Sequence, residues 1–248
     1  MAFKKENPYN DDRLSLSGTD SVDAHIWRIS LETGDANINR LLWVLSDEEL
    51  QRANRFHFEQ DRKRFVVARG LLRMLLSDYC NSHPVEHYFN YNSYGKPALS
   101  GNPHIRFNVS HAGDMVLIGI CCGREIGVDV ERIRPFERAE QIVERYFSTL
   151  ERSAFRSLPE HLRDKAFFTC WTRKEAYIKA VGKGMSLPLN KFSISFLPDT
   201  PPRLLEAPPD DGGNRDWSMQ EITVNPGYAA AAVVEGMNVV FIDKEWAW

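Results

Sequence analysis

Cysteine is scarce in this sequence and follows no pattern. Cys80, Cys121, Cys122 and Cys170 are the only four among 248 residues, and none stands in a C-x-x-C spacing. A disulfide framework and a zinc ribbon fit neither number nor spacing, so reduced, largely buried thiols are expected. Charge of one sign is lacking too: 31 Lys and Arg face 34 Asp and Glu, for a net charge of −3. A chain that coats nucleic acid carries a clear basic excess, so any anion bound here must be met by a local patch. Long apolar runs are missing as well. The polar, acid-bearing stretch Met1–Asp23 has no apolar core of the kind a signal peptide needs, and no segment has the length a membrane helix requires. These absences predict a soluble, cytoplasmic protein with no membrane or nucleic-acid partner. With 43% hydrophobic residues, the chain can bury one large core or two small ones of roughly 100–150 residues each.

What is present reads as alternating strands and helices. After the tail at 1–23, Ala24–Leu31 has the pattern of a strand. Ser46 followed by Asp47, Glu48 and Glu49 is a capping box that opens a helix. Basic residues then accumulate from Arg52 to Arg73, with Phe65, Leu71, Leu72, Leu75 and Leu76 at helical spacing. Asp61–Tyr79 is therefore an amphipathic helix with a cationic outer face. Ile105–Val109, Met115–Cys121 and Glu125–Val130 read as strands joined by tight turns, a meander rather than a parallel crossover series. Helices follow at Pro135–Phe147, Leu150–Leu158 and about Asp164–Val181, the last closed by Gly182 and Gly184. Phe192–Leu197 is a strand, Leu197–Asn214 a surface loop, Trp217–Val224 with Tyr228–Val234 a hairpin, and Val239–Ile242 a final edge. The order predicts an α+β fold of two similar halves, 24–115 and 116–248, with a cleft between them.

Three local patterns carry chemistry. In Gly127-Val128-Asp129-Val130-Glu131 the two acids lie on one face of a strand, about 6.6 Å apart, and repel by about 2.5 kcal/mol at an effective dielectric near 20. A divalent cation would remove that penalty, and hard oxygen donors suit Mg²⁺. The same pair also fits a solvated strand end. In the long helix Trp171, Glu175 and Lys179 are spaced four apart and share a face. An ordinary surface Glu–Lys pair has that spacing too, but the Trp implies partial burial, and a third carboxylate is what the first two acids lack. Ser110 and His111 end a strand at a tight turn without a nucleophile elbow, which suits a phosphate contact or a hydrogen-bonded turn histidine better than a hydrolase.

In order along the chain, Tyr94-Gly95-Lys96-Pro97, Phe107-Asn108-Val109-Ser110-His111, Ile126 to Glu131, and Trp171 through Lys174-Glu175-Ala176 and Lys179 to Gly184 resemble the motifs of Sfp-like 4′-phosphopantetheinyl transferases. The resemblance spans about Trp27 to Val234. It implies transfer of phosphopantetheine from coenzyme A to a serine of an apo acyl or peptidyl carrier protein, releasing adenosine 3′,5′-bisphosphate, by a monomer. It further implies Asp129, Glu131 and Glu175 as ligands of Mg²⁺ (or Mn²⁺), Glu175 as a general base, and Lys179 as a contact to the transferred phosphate. Ser110, His111 and Lys96 with Pro97 match coenzyme A contacts, and Arg52 and Arg64 fall near its 3′-phosphate. Arg132, Arg134, Phe136 and Arg138 would meet the carrier. A carboxylate-metal phosphohydrolase and a non-enzymatic coenzyme A-binding module are the alternatives.

Overall fold

A computed structural model describes residues 21–208 and 215–248. Residues 1–20 of the expected tail and 209–214 of the expected loop lie outside the described residues. The elements run β1 (Val22–Ser30), α1 (Asp35–Leu42), α2 (Asp47–Asn54), α3 (Glu59–Cys80), β2 (Phe89–Tyr91), β3 (Pro97–Leu99), β4 (Ile105–Ala112), β5 (Met115–Cys122) and β6 (Ile126–Arg132). They continue with α4 (Ala139–Tyr146), α5 (Thr149–Ser157), α6 (Glu160–Val181), β7 (Ser193–Ile194), β8 (Leu204–Glu206), β9 (Trp217–Glu221), β10 (Tyr228–Glu235) and β11 (Val239–Glu245).

Two sheets organise these elements. In the first the order is β11-β1-β5-β4, and in the second β6-β10-β9. The β1-β5-β4 and β6-β10-β9 sets are both antiparallel and repeat one topology. In each set three helices follow the first strand, the last of them 22 residues long, α3 or α6. Even the caps repeat. Ser46 and Ser148 each close a capping box with the glutamate three residues on, and both glutamates are buried. Glu49 pairs with Arg69 and Arg73 of α3, and Glu151 with Lys174 of α6. The expected α+β class with a long helix on a small antiparallel sheet in each half is therefore the class observed.

Strand alternation builds the layers. Ile126, Val128 and Val130 of β6 meet Ala24, Ile26, Leu117 and Cys121 of the first sheet in one core between the sheets. Gly119 permits that approach, because a Cβ there would stand 2.7 Å from Val128 Cγ1. On the outer faces α3 packs on the first sheet, and α6 packs on β6 and β10.

Several expected boundaries move. The strand expected at Phe192–Leu197 is reduced to Ser193–Ile194, whose partner β8 lies inside the stretch read as loop. The helix expected from Pro135 begins at Ala139, after residues 133–136, which form no regular element, and a turn at Glu137 and Arg138. The final edge strand is longer than expected and runs parallel to β1, with Val22 opposite Val239 and Arg28 opposite Glu245. Strand β5, expected with the second half, hydrogen-bonds to β1 and β4 of the first sheet.

Candidate active site

A cleft of about 370 Å³ opens where β4, β6 and α6 meet, lined by Val109, Ser110, His111, Asp129, Val130, Glu131, Trp171, Glu175 and Lys179. Sequence periodicity explains how these residues face it. Asp129 and Glu131 take the side of β6 opposite the apolar Val128 and Val130, and Trp171, Glu175 and Lys179 lie at successive turns of α6. Gly127 sets the distance between the two elements. A Cβ on it would overlap the Ala176 carbonyl oxygen and the Ala180 amide nitrogen and lie 3.0 Å from Ala180 Cα. Glycine at this position lets the helix backbone rest on the strand, which brings Lys179 within 2.6 Å of Asp129 Oδ1.

The polar groups form one network. Ser110 Oγ donates to Asp129 Oδ1 at 2.8 Å and accepts from Lys179 Nζ at 3.0 Å and Val130 N at 3.4 Å. Lys179 Nζ also donates to the Val128 carbonyl at 3.3 Å. Beside it, Asn108 Oδ1 accepts from Val128 N at 3.0 Å. Asn108 and Ser110 thus replace a strand ladder along the outer edge of β6 and weld the two sheets together. Ser110 belongs to this weld as much as to any ligand site, an assignment its position in the motif did not reveal. The signal was available: residues 108 and 110 share a face of a strand, opposite the apolar Phe107 and Val109.

Electrostatics concentrate on the acids. Asp129 is buried, and burial pushes its carboxyl up while Lys179 pulls it down. Its Oδ2 is buried without a partner. Burial, then the neighbouring Asp129 charge, raises Glu131. Glu175 is pushed up to about 6 by burial and by repulsion from Asp129 and Glu131, against the pull of Lys179. Three carboxylates therefore crowd one another around one lysine. Among the described residues no three His, Cys, Asp or Glu side chains converge into a finished metal cage. Hard oxygens, mutual repulsion and an orphaned Oδ2 nevertheless fit a divalent cation in chemical character.

The remaining expected residues divide. His111 stands at the cleft mouth, and burial together with the Lys179 and Arg64 charges lowers its pKa, which keeps the imidazole neutral near pH 7. Arg64 is half-buried, close enough to act on His111, and paired with Asp61 at 3.3 Å. Arg52 is exposed, with its guanidinium 5.1 Å from the Phe65 ring centroid. Lys96 and Pro97 do not line the cleft: Pro97 starts β3, and Lys96 is bound to Glu125 at 2.6 Å. Of the residues expected to meet a carrier, Phe136 is half-buried and packs against Phe167 at 5.0 Å between centroids, while Arg132, Arg134 and Arg138 are exposed.

Two charged neighbours of Glu175 serve support, a role the sequence reading missed. Lys174 Nζ lies 2.7 Å from Glu151, with both side chains buried, and donates to the Phe192 carbonyl at 2.9 Å. Arg173 donates to the Ser195 carbonyl and to Glu221, each at 2.6 Å. These ties hold α6 from behind while its front face carries Glu175 and Lys179. The Ser148-to-Glu151 capping box was their visible trace in the sequence.

Comparison with known proteins shows the family. Residues 125–233 match the family model described as the 4′-phosphopantetheinyl transferase superfamily, and residues 32–122 match the model of a 4′-phosphopantetheinyl transferase N-terminal region. The 4′-phosphopantetheinyl transferase HetI of a Nostoc species is 37% identical over 219 residues, covering 87% of this chain and 89% of that protein. The chain belongs to the 4′-phosphopantetheinyl transferase superfamily. The transferase is also 31% identical over 160 residues to Sfp of Bacillus subtilis, covering 64% of this chain and 70% of the relative. A holo-(acyl-carrier-protein) synthase structure from Bacillus anthracis overlays 45% of the transferase and 94% of its own chain, at a TM-score of 0.38 and 21% identity. No helix among the transferase's described residues is long and apolar enough to cross a membrane.

Proposed function

We propose that this transferase moves the 4′-phosphopantetheine arm of coenzyme A onto a serine of an apo acyl or peptidyl carrier protein and releases adenosine 3′,5′-bisphosphate. The observation that carries the reading is the crowding of Asp129, Glu131 and Glu175 around Lys179 in one open cleft, with Asp129 Oδ2 buried and unpartnered. In this reading Asp129, Glu131 and Glu175 hold Mg²⁺, or Mn²⁺ in its place, which when bound neutralises the charge of the pyrophosphate. The chain acts as a cytoplasmic monomer of two halves. Pairing of β5 with β1 and β4 favours a join near Gly123 and Arg124 over one at 115/116.

The protein's own groups have separable tasks. The serine oxygen forms a bond to the β-phosphorus while the bond from that phosphorus to the departing nucleotide oxygen breaks. Glu175, as its carboxylate, takes the serine proton. Lys179 stands one turn along α6 and places a positive charge beside the phosphoryl group in flight. His111, which lines the cleft, donates a hydrogen bond to a phosphate oxygen, and Arg64 faces the 3′-phosphate, whose dianion suits a guanidinium fork.

The test is incubation with coenzyme A, Mg²⁺ and a panel of apo carrier proteins. A mass gain of roughly 340 Da on the carrier serine is expected, and Glu175→Gln should abolish it with the fold intact. Coenzyme A hydrolysis without carrier, or no mass gain on any carrier, refutes the reading.

A further inference from the structure

Lys96 is the residue whose place in the structure departs most from its motif. Its ammonium has three N–H donors, and all three are engaged inside the protein. They reach Glu125 Oε2 at 2.6 Å, the Ala180 carbonyl at 2.8 Å and the Ile126 carbonyl at 3.3 Å. Ala180 follows Lys179 near the end of α6, and Ile126 precedes Gly127 at the start of β6. One ammonium therefore ties together the two elements that carry the cleft residues.

The turn that delivers Lys96 makes a second tie. Asn92 Oδ1 accepts from Tyr94 N and Lys96 N, each at 2.9 Å, which shapes the turn. Asn92 Nδ2 donates to the Gly182 carbonyl at 2.8 Å. Gly182 itself has a left-handed backbone, and a Cβ there would stand 2.9 Å from Lys96 Cδ. The glycine that ends α6 leaves room for the lysine to pass. The two sequence motifs Tyr94-Gly95-Lys96-Pro97 and Gly182-Lys183-Gly184 thus meet as a clasp on the helix end. Burial lowers the pKa of the ammonium, and Glu125, which also pairs with Arg106 at 3.3 Å, offsets only part of that.

We propose that Lys96, held by Glu125, is a positioning residue that clamps the C-terminal end of α6 to β6 and so fixes the reach of Glu175 and Lys179 toward Asp129. This rests on the reading of the cleft as the transfer site. It assigns Glu125 a part in that reaction although Glu125 does not line the cleft.

Glu125→Gln and Lys96→Met separate the clamp from a direct coenzyme A contact. Loosening a clamp should lower kcat by about tenfold or more while leaving the coenzyme A dissociation constant unchanged in calorimetry. The two substitutions should also be strongly non-additive in kcat. A direct contact predicts the reverse: Glu125→Gln frees the ammonium and tightens coenzyme A with kcat unchanged, and Lys96→Met weakens it. Hydrogen exchange at the amides of residues 178–182 reads the clamp without any reaction, so a failure of the transfer reading does not conceal the answer. About tenfold faster exchange in Glu125→Gln, a mild substitution that preserves shape, is expected. Unchanged exchange in both variants, or the direct-contact pattern of binding, overturns the proposal.

Discussion

Gly127→Ala tests how finely the active-site geometry depends on one missing side chain. The added Cβ would overlap the Ala176 carbonyl oxygen and the Ala180 nitrogen, and these are helix backbone atoms that cannot rotate away. Restoring ordinary contact, about 3.5 Å or more between carbon atoms, moves α6 outward by about 1 Å or bends β6 by as much. The core between the sheets opposes the second option, because Ile126 and Val128 on either side are fully buried in it. Overpacking of this kind costs about 1–3 kcal/mol. The functional loss should be larger in proportion. Lys179 and Glu175 ride on α6, and the 2.6 Å ion pair from Lys179 to Asp129 would stretch past hydrogen-bond range. A misplacement of about 1 Å costs on the order of a hundredfold in rate. Phosphopantetheine transfer to a carrier, followed by mass spectrometry at saturating coenzyme A, gives kcat, and urea unfolding gives stability. A variant with wild-type kcat and an unchanged midpoint would show that the close helix-strand approach does not set the geometry.

Two further outcomes follow from the buried charges. In the metal-free protein Glu175 holds its proton more tightly folded than unfolded, since its carboxyl is raised from 4.5 to about 6. Its contribution is therefore present below about pH 4.5 and lost as pH rises through 6, on the order of 1 kcal/mol after allowing for solvent screening. Urea midpoints should fall more between these values in wild type than in Glu175→Gln, and equal slopes would contradict the raised carboxyl. Lys174→Met breaks the buried pair with Glu151 and leaves a buried carboxylate bonded to Ser148 N, Ile194 N and the Cys170 thiol, with no cation beside it. A loss of about 3 kcal/mol is expected, lowering Tm by about 6–12 °C in calorimetry, and a shift within about 2 °C would mean that the backbone donors suffice.

Much of the fold was legible because its signals are local. Ser46 with Glu49 marked the start of α2, apolar spacing placed α3 to within a few residues of its bounds, and Gly182 with Gly184 marked the end of α6. Alternation along β6 put Asp129 and Glu131 on the face away from Val128 and Val130, and the four-residue spacing from Trp171 to Lys179 put the facing groups on one side of α6. The short strand β8 was hidden because Leu204–Glu206 has too few residues for a period, and its pairing with Ser193 and Ile194 is a long-range event.

The sequence by itself determined which residue types stand on which face of each element, and hence the acids, the lysine and the glycine available to an active site. Local backbone geometry has periods of two and 3.6 residues, and those periods are written in consecutive positions. Tertiary structure decided where the side-chain donors and acceptors were used. Lys96 went to Glu125 and the helix end, Ser110 and Asn108 to the edge of β6, and the last strand to the outer edge of β1. A donor satisfies whichever acceptor the assembled chain brings within about 3 Å, and no local period records that distance.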